Sequence, residues 1–552
     1  MTQNNDGSEL SSLSERLIGE HWDFYPTAGS RIGRHEYDGR LPDLSPAQVS
    51  RREREIRRGM AELQALDKSS LGPEELLSYR MLALFLEREL FTFEEMRPLE
   101  NNPMRQSGFL NMGGYVRRDY APLEDRLRAA TIALRQVPDF LQTLDAALRE
   151  DLSRHMVDMS VESYAGMAHF YRTDLAAFAN AARDKEIAAA FTATLNTAAS
   201  ALDGFVERLK ARSRAGDNDF AIGRRLYSRM LATGEGLDLP LERIAAVGQA
   251  NLDENLAGIR EVAASIDPGR NVREIVDENS RIHPTAQSLI PDTREMLEDI
   301  RRSLADYDII SLPSEDRCQV VETPAYMRYA FAAMDSAGAL ETQATESFYY
   351  VTPVEDHWTA EQAEEWLAKF DYNTLRIISI HEVYPGHFVH NLHNRYGKPL
   401  PLINRAATSY AFSEGWAHYT EQMMLETEYG QGKPALLLTQ LLEALVRNCR
   451  YMCSIAMHTG DMTVDEATEF FVENAYMGDH PARREALRGI FDPGYLNYTL
   501  GKLMILKLRD DYRGEQNGGF SLRAFHDRLL SYGAPPLPLL RDAMLKGGGA
   551  PL

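Results

Sequence analysis

The stretch His381-Glu382-Val383-Tyr384-Pro385-Gly386-His387 constrains this chain most, because it asks for a metal-binding helix and then interrupts it. In the H-E-x-x-H pattern the histidines are four apart, so one helical face offers both to an ion. Here they are six apart. At about 100° per residue, six steps turn roughly 240°, which points the two rings to different sides of a regular helix. The inserted residues answer that objection. Pro385 removes a backbone donor, and Gly386 accepts backbone angles that other residues resist. A bulge at Pro385-Gly386 would return His387 to the place of a regular fourth residue. Glu382 would then stand as the general base for metal-activated water.

A zinc ion used for hydrolysis takes three protein ligands and keeps one position open. The string Ser413-Glu414-Gly415-Trp416-Ala417-His418-Tyr419 offers Glu414, which follows His387 by 27 residues. That interval holds a connection and a second helix running back past the first, and Gly415 would permit close helix approach. The expected metal ligands are His381, His387 and Glu414. A competing set, His387, His390 and His393, has two members on one helical face but leaves Glu382 without a role. Glu421 is a candidate acceptor for the outer ring N–H of His381 or His387. His390 reads better as a supporting or cleft residue.

The Glu-Gly-aromatic-Ala string resembles the third-ligand helix of the glutamate-zincin metallopeptidases. Together with His-Glu-x-x-Pro-Gly-His, it is similar to the family known as domain of unknown function 885. Other segments carry the same resemblance: Phe24-Tyr25-Pro26, Gly33-Arg34-His35-Glu36-Tyr37-Asp38, Glu322-Thr323-Pro324, Phe348-Tyr349-Tyr350-Val351, Pro493-Gly494 with Tyr498-Thr499-Leu500-Gly501-Lys502, and Phe525-His526-Asp527. Two positions depart from the family pattern. His390 stands where a glutamine is frequent, and Ser454 where an aspartate is frequent. The resemblance implies a zinc cofactor and a mainly α, two-lobed metallopeptidase-like fold with a small sheet beside the zinc helix. In that arrangement Phe348–Thr352 is the edge strand, with Tyr349 and Tyr350 contacting substrate. The oxyanion of the reaction needs a donor. Tyr498, which matches the family's tyrosine, and His458 are the candidates, and Arg450 is a candidate for holding a substrate carboxylate.

Helical patterns run through most of the 552 residues, at 45–66, 73–98, 122–151, 158–182, 184–213, 240–266, 284–306, 363–371, 373–391, 407–428, 434–459, 463–476, 495–513 and 521–531. Strand signals cluster at 308–310, 318–321 and 348–352. The expected organisation is a disordered tail over 1–15, one catalytic unit over 16–545 and a flexible tail over 546–552. Within the unit, a covering lobe would span about 16–300 and a zinc-binding lobe about 301–545.

A formal charge of −22 argues against a general nucleic-acid or anionic-membrane surface. The polar start and three cysteines lead to the expectation of a cytoplasmic protein. The leading expectation is a zinc-dependent hydrolase of peptide bonds. Alternatives are an amidase of a small or modified-peptide amide and a non-catalytic metal-binding protein.

Overall fold

The computed structural model describes residues 5–215, 219–324, 328, 331–355, 357–516 and 518–552. Its longest helix, Lys185–Ala211, shows how the sequence builds the rest. The Asp184 carboxylate accepts from the Glu186 and Ile187 N–H groups and caps the first turn. Phe191, Leu195, Ala198, Leu202, Phe205 and Leu209 then recur at spacings of three and four and form one buried stripe. That stripe packs on Leu123–Ala147 and Arg154–Phe170. Each large apolar side chain buried there contributes about 1.5–3 kcal/mol, so the helix is held by its partners more than by its alanines.

A second core forms around Pro434–Thr459. This helix lies against Leu241–Ile266 so closely that a Cβ on Gly248 would fall 2.3 Å from the Tyr451 ring. Buried amides fix the crossing: Asn255 donates to Asn448 at 2.6 Å, and Asn448 donates to Asn251 at 2.9 Å. The expected lobe division near residue 300 therefore does not coincide with a break in packing. Leu231, Ile244 and Ile300 share one apolar cluster with Ile380, Trp416 and Leu500. Leu17, Ile56 and Leu82 cluster with Ile403 and Leu539.

Two small sheets occur among the described residues. β1 (Asp151–Ser153) and β2 (Ser213–Ala215) pair in parallel. β3 (Gln319–Glu322), β4 (Ala332–Asp335) and β5 (Phe348–Val351) form a sheet of order β3-β5-β4. β5 is parallel to β3 and antiparallel to β4, with Tyr350 opposite Val321 and Tyr349 opposite Met334.

Most long helices lie close to their expected bounds, and four expectations change. Asn5–Phe24 is a helix with Leu10, Leu13 and Leu17 buried, so the segment expected as a disordered tail is largely structured; residues 1–4 lie outside the described residues. The C-terminal segment has no regular structure, yet Arg541 donates to Gly549 O at 3.1 Å and Arg243 to Leu552 O at 2.6 Å. Residues 308–310 form no strand, and Asp308 takes a positive φ of 50° after the preceding helix. The metal segment expected as one helix over 373–391 is two helices, Tyr372–Glu382 and His387–Tyr396.

Candidate metal centre

The break between those two helices solves the spacing problem differently from a bulge. The first helix ends at Glu382 and a new one begins at His387, so the two histidines belong to separate axes. The turn between them folds back onto the first helix: Gly386 N–H donates to Ile380 O at 3.0 Å. A Cβ on Gly386 would lie 1.7 Å from His381 O, which only glycine avoids. Trp416, from the helix Tyr410–Glu426, donates its indole N–H to Pro385 O at 3.0 Å. The Glu414 helix thus holds the turn that sets His387.

Glu414 is set by a close helix contact of its own. A Cβ on Gly415 would meet Gly501 Cα at 2.4 Å, where Tyr410–Glu426 crosses Asn497–Glu515. The crossing brings Tyr498 to the same site, and the Glu414 charge helps raise its pKa, after burial.

His381, His387 and Glu414 converge, with one ligand atom from each lying within 4.8 Å of the others. Nε2 of His381 is 3.5 Å and Nε2 of His387 3.4 Å from the same Glu414 oxygen. No other such cluster of three occurs among the described residues. Two imidazole nitrogens and a carboxylate oxygen are donors suited to zinc, and three of them leave a position open. The competing set is not assembled. His393 Nε2 donates to Ser311 O at 2.9 Å, and buried His390 packs its ring 5.2 Å from that of Phe412.

Behind the ligands lies a buried charged network. Glu421 accepts from His381 Nδ1 at 2.6 Å and from His418 Nδ1 at 3.2 Å, and it faces Arg447 at 3.5 Å. Burial raises the Glu421 pKa, but Arg447 and the two histidines outweigh it and hold the carboxylate well below its ordinary value. Burial depresses His381, yet Glu414 and Glu421 overcome that and raise it to about 10. Two carboxylates therefore demand a positive charge at His381, which a divalent ion on Nε2 would supply. Lys502 is fully buried behind Glu421, and desolvation lowers its pKa to about 8.

Glu382 faces the sheet, and its carboxylate accepts the Met334 N–H at 3.0 Å. β4 is therefore the edge strand beside the centre, which corrects the placement of Phe348–Thr352. β5 is central, with its backbone groups used by β3 and β4. Tyr349 is fully buried, 3.4 Å from Ser379 Oγ, and Tyr350 is buried beside Phe348. Both rings are thus taken up by packing, contrary to the substrate contact expected of them, and Tyr349 braces the first ligand helix.

Tyr498 and His458 separate clearly. The Tyr498 ring lies 6.4 Å from that of His381, and its hydroxyl oxygen accepts from Arg488 at 3.2 Å, which leaves its O–H free to donate. His458 is fully buried between Phe220 and Tyr227, with Nε2 donating to Gly489 O at 2.7 Å. It is removed as an oxyanion donor. Arg450 is committed to Glu485 by bonds of 2.7 and 2.8 Å and lies over the Tyr498 ring, so it positions that tyrosine instead of offering a free charge. Sequence reasoning missed Arg488 and Tyr410. The Tyr410 hydroxyl donates to Asp492 at 3.0 Å, and its ring is 5.9 Å from Tyr498. Its place one helical turn before Glu414 was the available signal.

A cavity of ≈ 460 Å³ opens beside the triad, with His387 and His390 on one wall and Ile18, Trp22 and Arg31 on the other. The N-terminal helices thus cover the centre.

The family described as "Bacterial protein of unknown function (DUF885)" matches residues 26–544. The chain belongs to DUF885. Two solved structures resemble this DUF885 protein over nearly its whole length. One is described as a "putative lipoprotein of unknown function" from Shewanella oneidensis, with 22% identity and a TM-score of 0.81, covering 97% of this chain and 100% of that one. The other is described as a "putative lipoprotein" from Colwellia psychrerythraea, with 15% identity and a TM-score of 0.79, covering 98% of each chain. At these identities the likeness establishes the shared helical fold of this DUF885 protein. No curated protein matches it.

Proposed function

We propose that the chain is a zinc-dependent hydrolase of peptide bonds, a DUF885 member with glutamate-zincin-like chemistry. The observation that carries the reading is the convergence of His381, His387 and Glu414 beside Glu382, with a strand edge facing that base. A zinc ion held by the triad supplies a Lewis acid that polarises the carbonyl and acidifies water. Glu382 takes a proton from the attacking water as its oxygen adds to the carbonyl carbon. Tyr498 donates its O–H to the oxygen that gains charge. The C–N bond then breaks, and Glu382 passes its proton to the leaving amine.

An extended peptide fits this reading better than a small amide, because among the described residues β4 has one strand neighbour, and it turns its other edge to Glu382. A purely structural zinc would take four ligands and need no base, which disfavours the non-catalytic alternative. Metal analysis and peptide-library cleavage read by mass spectrometry test the reading together. We expect about one zinc per chain and cleavage that stops in Glu382→Gln. Zinc-loaded protein that cuts no peptide but cuts small amides would move the assignment to an amidase.

For the compartment, three buried unpaired cysteines support the cytoplasm, whereas the lipoprotein descriptions of the two solved relatives point outside it. No described helix is long and apolar enough to cross a membrane. Cell fractionation decides between the two.

A further inference from the structure

The cavity that begins at His387 has a charge pattern unlike the chain as a whole. The sequence holds 82 acidic against 60 basic residues. Among the described residues no aspartate or glutamate lines this cavity, while Arg31 and Arg405 both do. Arg31, in the last turn of Pro26–Ile32, is exposed and donates to Gly108 O at 2.6 Å. Arg405 is half-buried; it donates to Ala339 O, and its Nε has no partner. Among the described residues neither guanidinium pairs with a carboxylate. Desolvation and the neighbouring Arg395 hold Arg405 below its ordinary pKa.

Positive charge gathered in a cleft without a protein counter-charge is unfavourable until an anion arrives. Asn391 and Asn394 add polar groups to the lining of the same cavity. The route to this cavity starts at the base. Met334 of β4 bonds to Glu382, and residues 336–339, which follow β4 directly, line the cavity. A chain lying along the free edge of β4 would lead from Glu382 towards the arginines.

We propose that this cavity is the anion-recognising part of the substrate cleft, where Arg31 and Arg405 receive a carboxylate carried by the substrate. The carboxylate is a chain terminus or an acidic side chain. The substrate class is thus acidic or short peptides with a carboxylate near the scissile bond. This deepens the hydrolase reading and rests on it.

Equilibrium binding to the full chain tests the proposal without needing turnover. The probes are acetyl-Ala-Ala-Ala as free acid and as amide, and acetyl-Glu-Ala-Ala and acetyl-Ala-Ala-Glu as amides. At least one acidic probe should bind about ten-fold or more tightly than the neutral amide, as expected for hydrogen bonds to a charged group. Arg31→Gln and Arg405→Gln should each remove most of that preference and leave binding of the neutral amide unchanged. A preference for the free acid assigns the pocket to a terminus; a preference for the glutamate amides assigns it to a side chain. Equal binding of all four, no binding at all, or a preference that survives both substitutions would overturn the proposal. Arg31 is exposed, so its variant carries the test if Arg405→Gln disturbs the 336–339 segment. A chain that binds acidic probes and cuts no peptide would refute the hydrolase reading alone.

Discussion

The His381 side of the triad backs onto a buried polar network: Glu421 and His418 are fully enclosed, with Arg447 nearly so and Lys502 behind them. On the His387 side the ligand opens a new helix, is partly exposed, and borders a wide cavity. One histidine is aimed by a carboxylate in a closed interior. The other is aimed by backbone, through the turn that Trp416 and Gly386 hold. The difference divides the labour. Buried ionic partners fix one ligand rigidly, and on the proposed reading the open side is the one that receives substrate.

The largest effect should come from a change that disturbs neither side. Glu382→Gln keeps the size of the side chain and removes the base, so the first chemical step should slow by roughly a hundred- to ten-thousand-fold. Zinc content should stay at the wild-type level, because Glu382 is not among the ligands. Single-turnover rate and metal content on one preparation decide this. Unchanged turnover would assign the base elsewhere.

The closed side is tested next. Glu421→Ala removes the common partner of His381, His418 and Arg447, leaving Arg447 with Glu443 alone and His381 with Glu414 alone. Breaking a buried pair from one side costs about 3–5 kcal/mol, and losing such a partner lowers metal affinity by about 10- to 100-fold. Denaturant unfolding and zinc competition measure the two terms. A variant with wild-type stability and affinity would show that the closed side does not hold His381.

This contrast also explains what the sequence could disclose. The triad was legible because metal chemistry restricts residue types and because Glu382, Pro385, Gly386 and Glu414 constrain one another. Glu421 was legible as a carboxylate two helical turns beyond Glu414 on the same helix. The long helices were legible from stripes such as Phe191 to Leu209. The sheet was legible in β3 and β5, whose segments carried strand signals, but β4 and the edge were not, because a four-residue strand carries almost no periodicity. Ala332–Asp335 lacks the β-branched signal, so the aromatic Phe348–Val351 took the edge role that β4 holds. His458 was misread because its place near the end of a helix says nothing about which way the ring turns; it turns to Gly489. Arg488 and Tyr410 were missed because their partnership with Tyr498 joins three separate helices.

Tyr498 stands between the two sides, stacked near His381 and gripped by Arg450 and Arg488. Tyr498→Phe should lower kcat by roughly a hundred-fold, as loss of one oxyanion donor does, with KM little changed. Zinc affinity should not move. If KM rises instead while kcat holds, the hydroxyl binds substrate in the ground state. If neither changes, Tyr410 is the next candidate, since its ring lies beside Tyr498 and the Glu414 charge reaches it.

The smallest effect should come from the open side, at His390. Burial first, then the nearby His387 and His393, lower its pKa to about 3, so the ring is neutral over the working range. Its Nε2 is buried without a partner, and the side chain borders the cavity without joining the triad. His390→Gln puts a polar side chain of similar reach in the same wall. Zinc affinity should change by less than about two-fold and stability by at most about 1 kcal/mol, within the range of substitutions that break no buried network. The change should be read in KM, because on the proposed reading the cavity wall meets substrate while the ligands stay in place. Zinc loss as large as in His387→Ala would revive the set of His387, His390 and His393. It would also end the division between a closed side that holds the ion and an open side that holds the substrate.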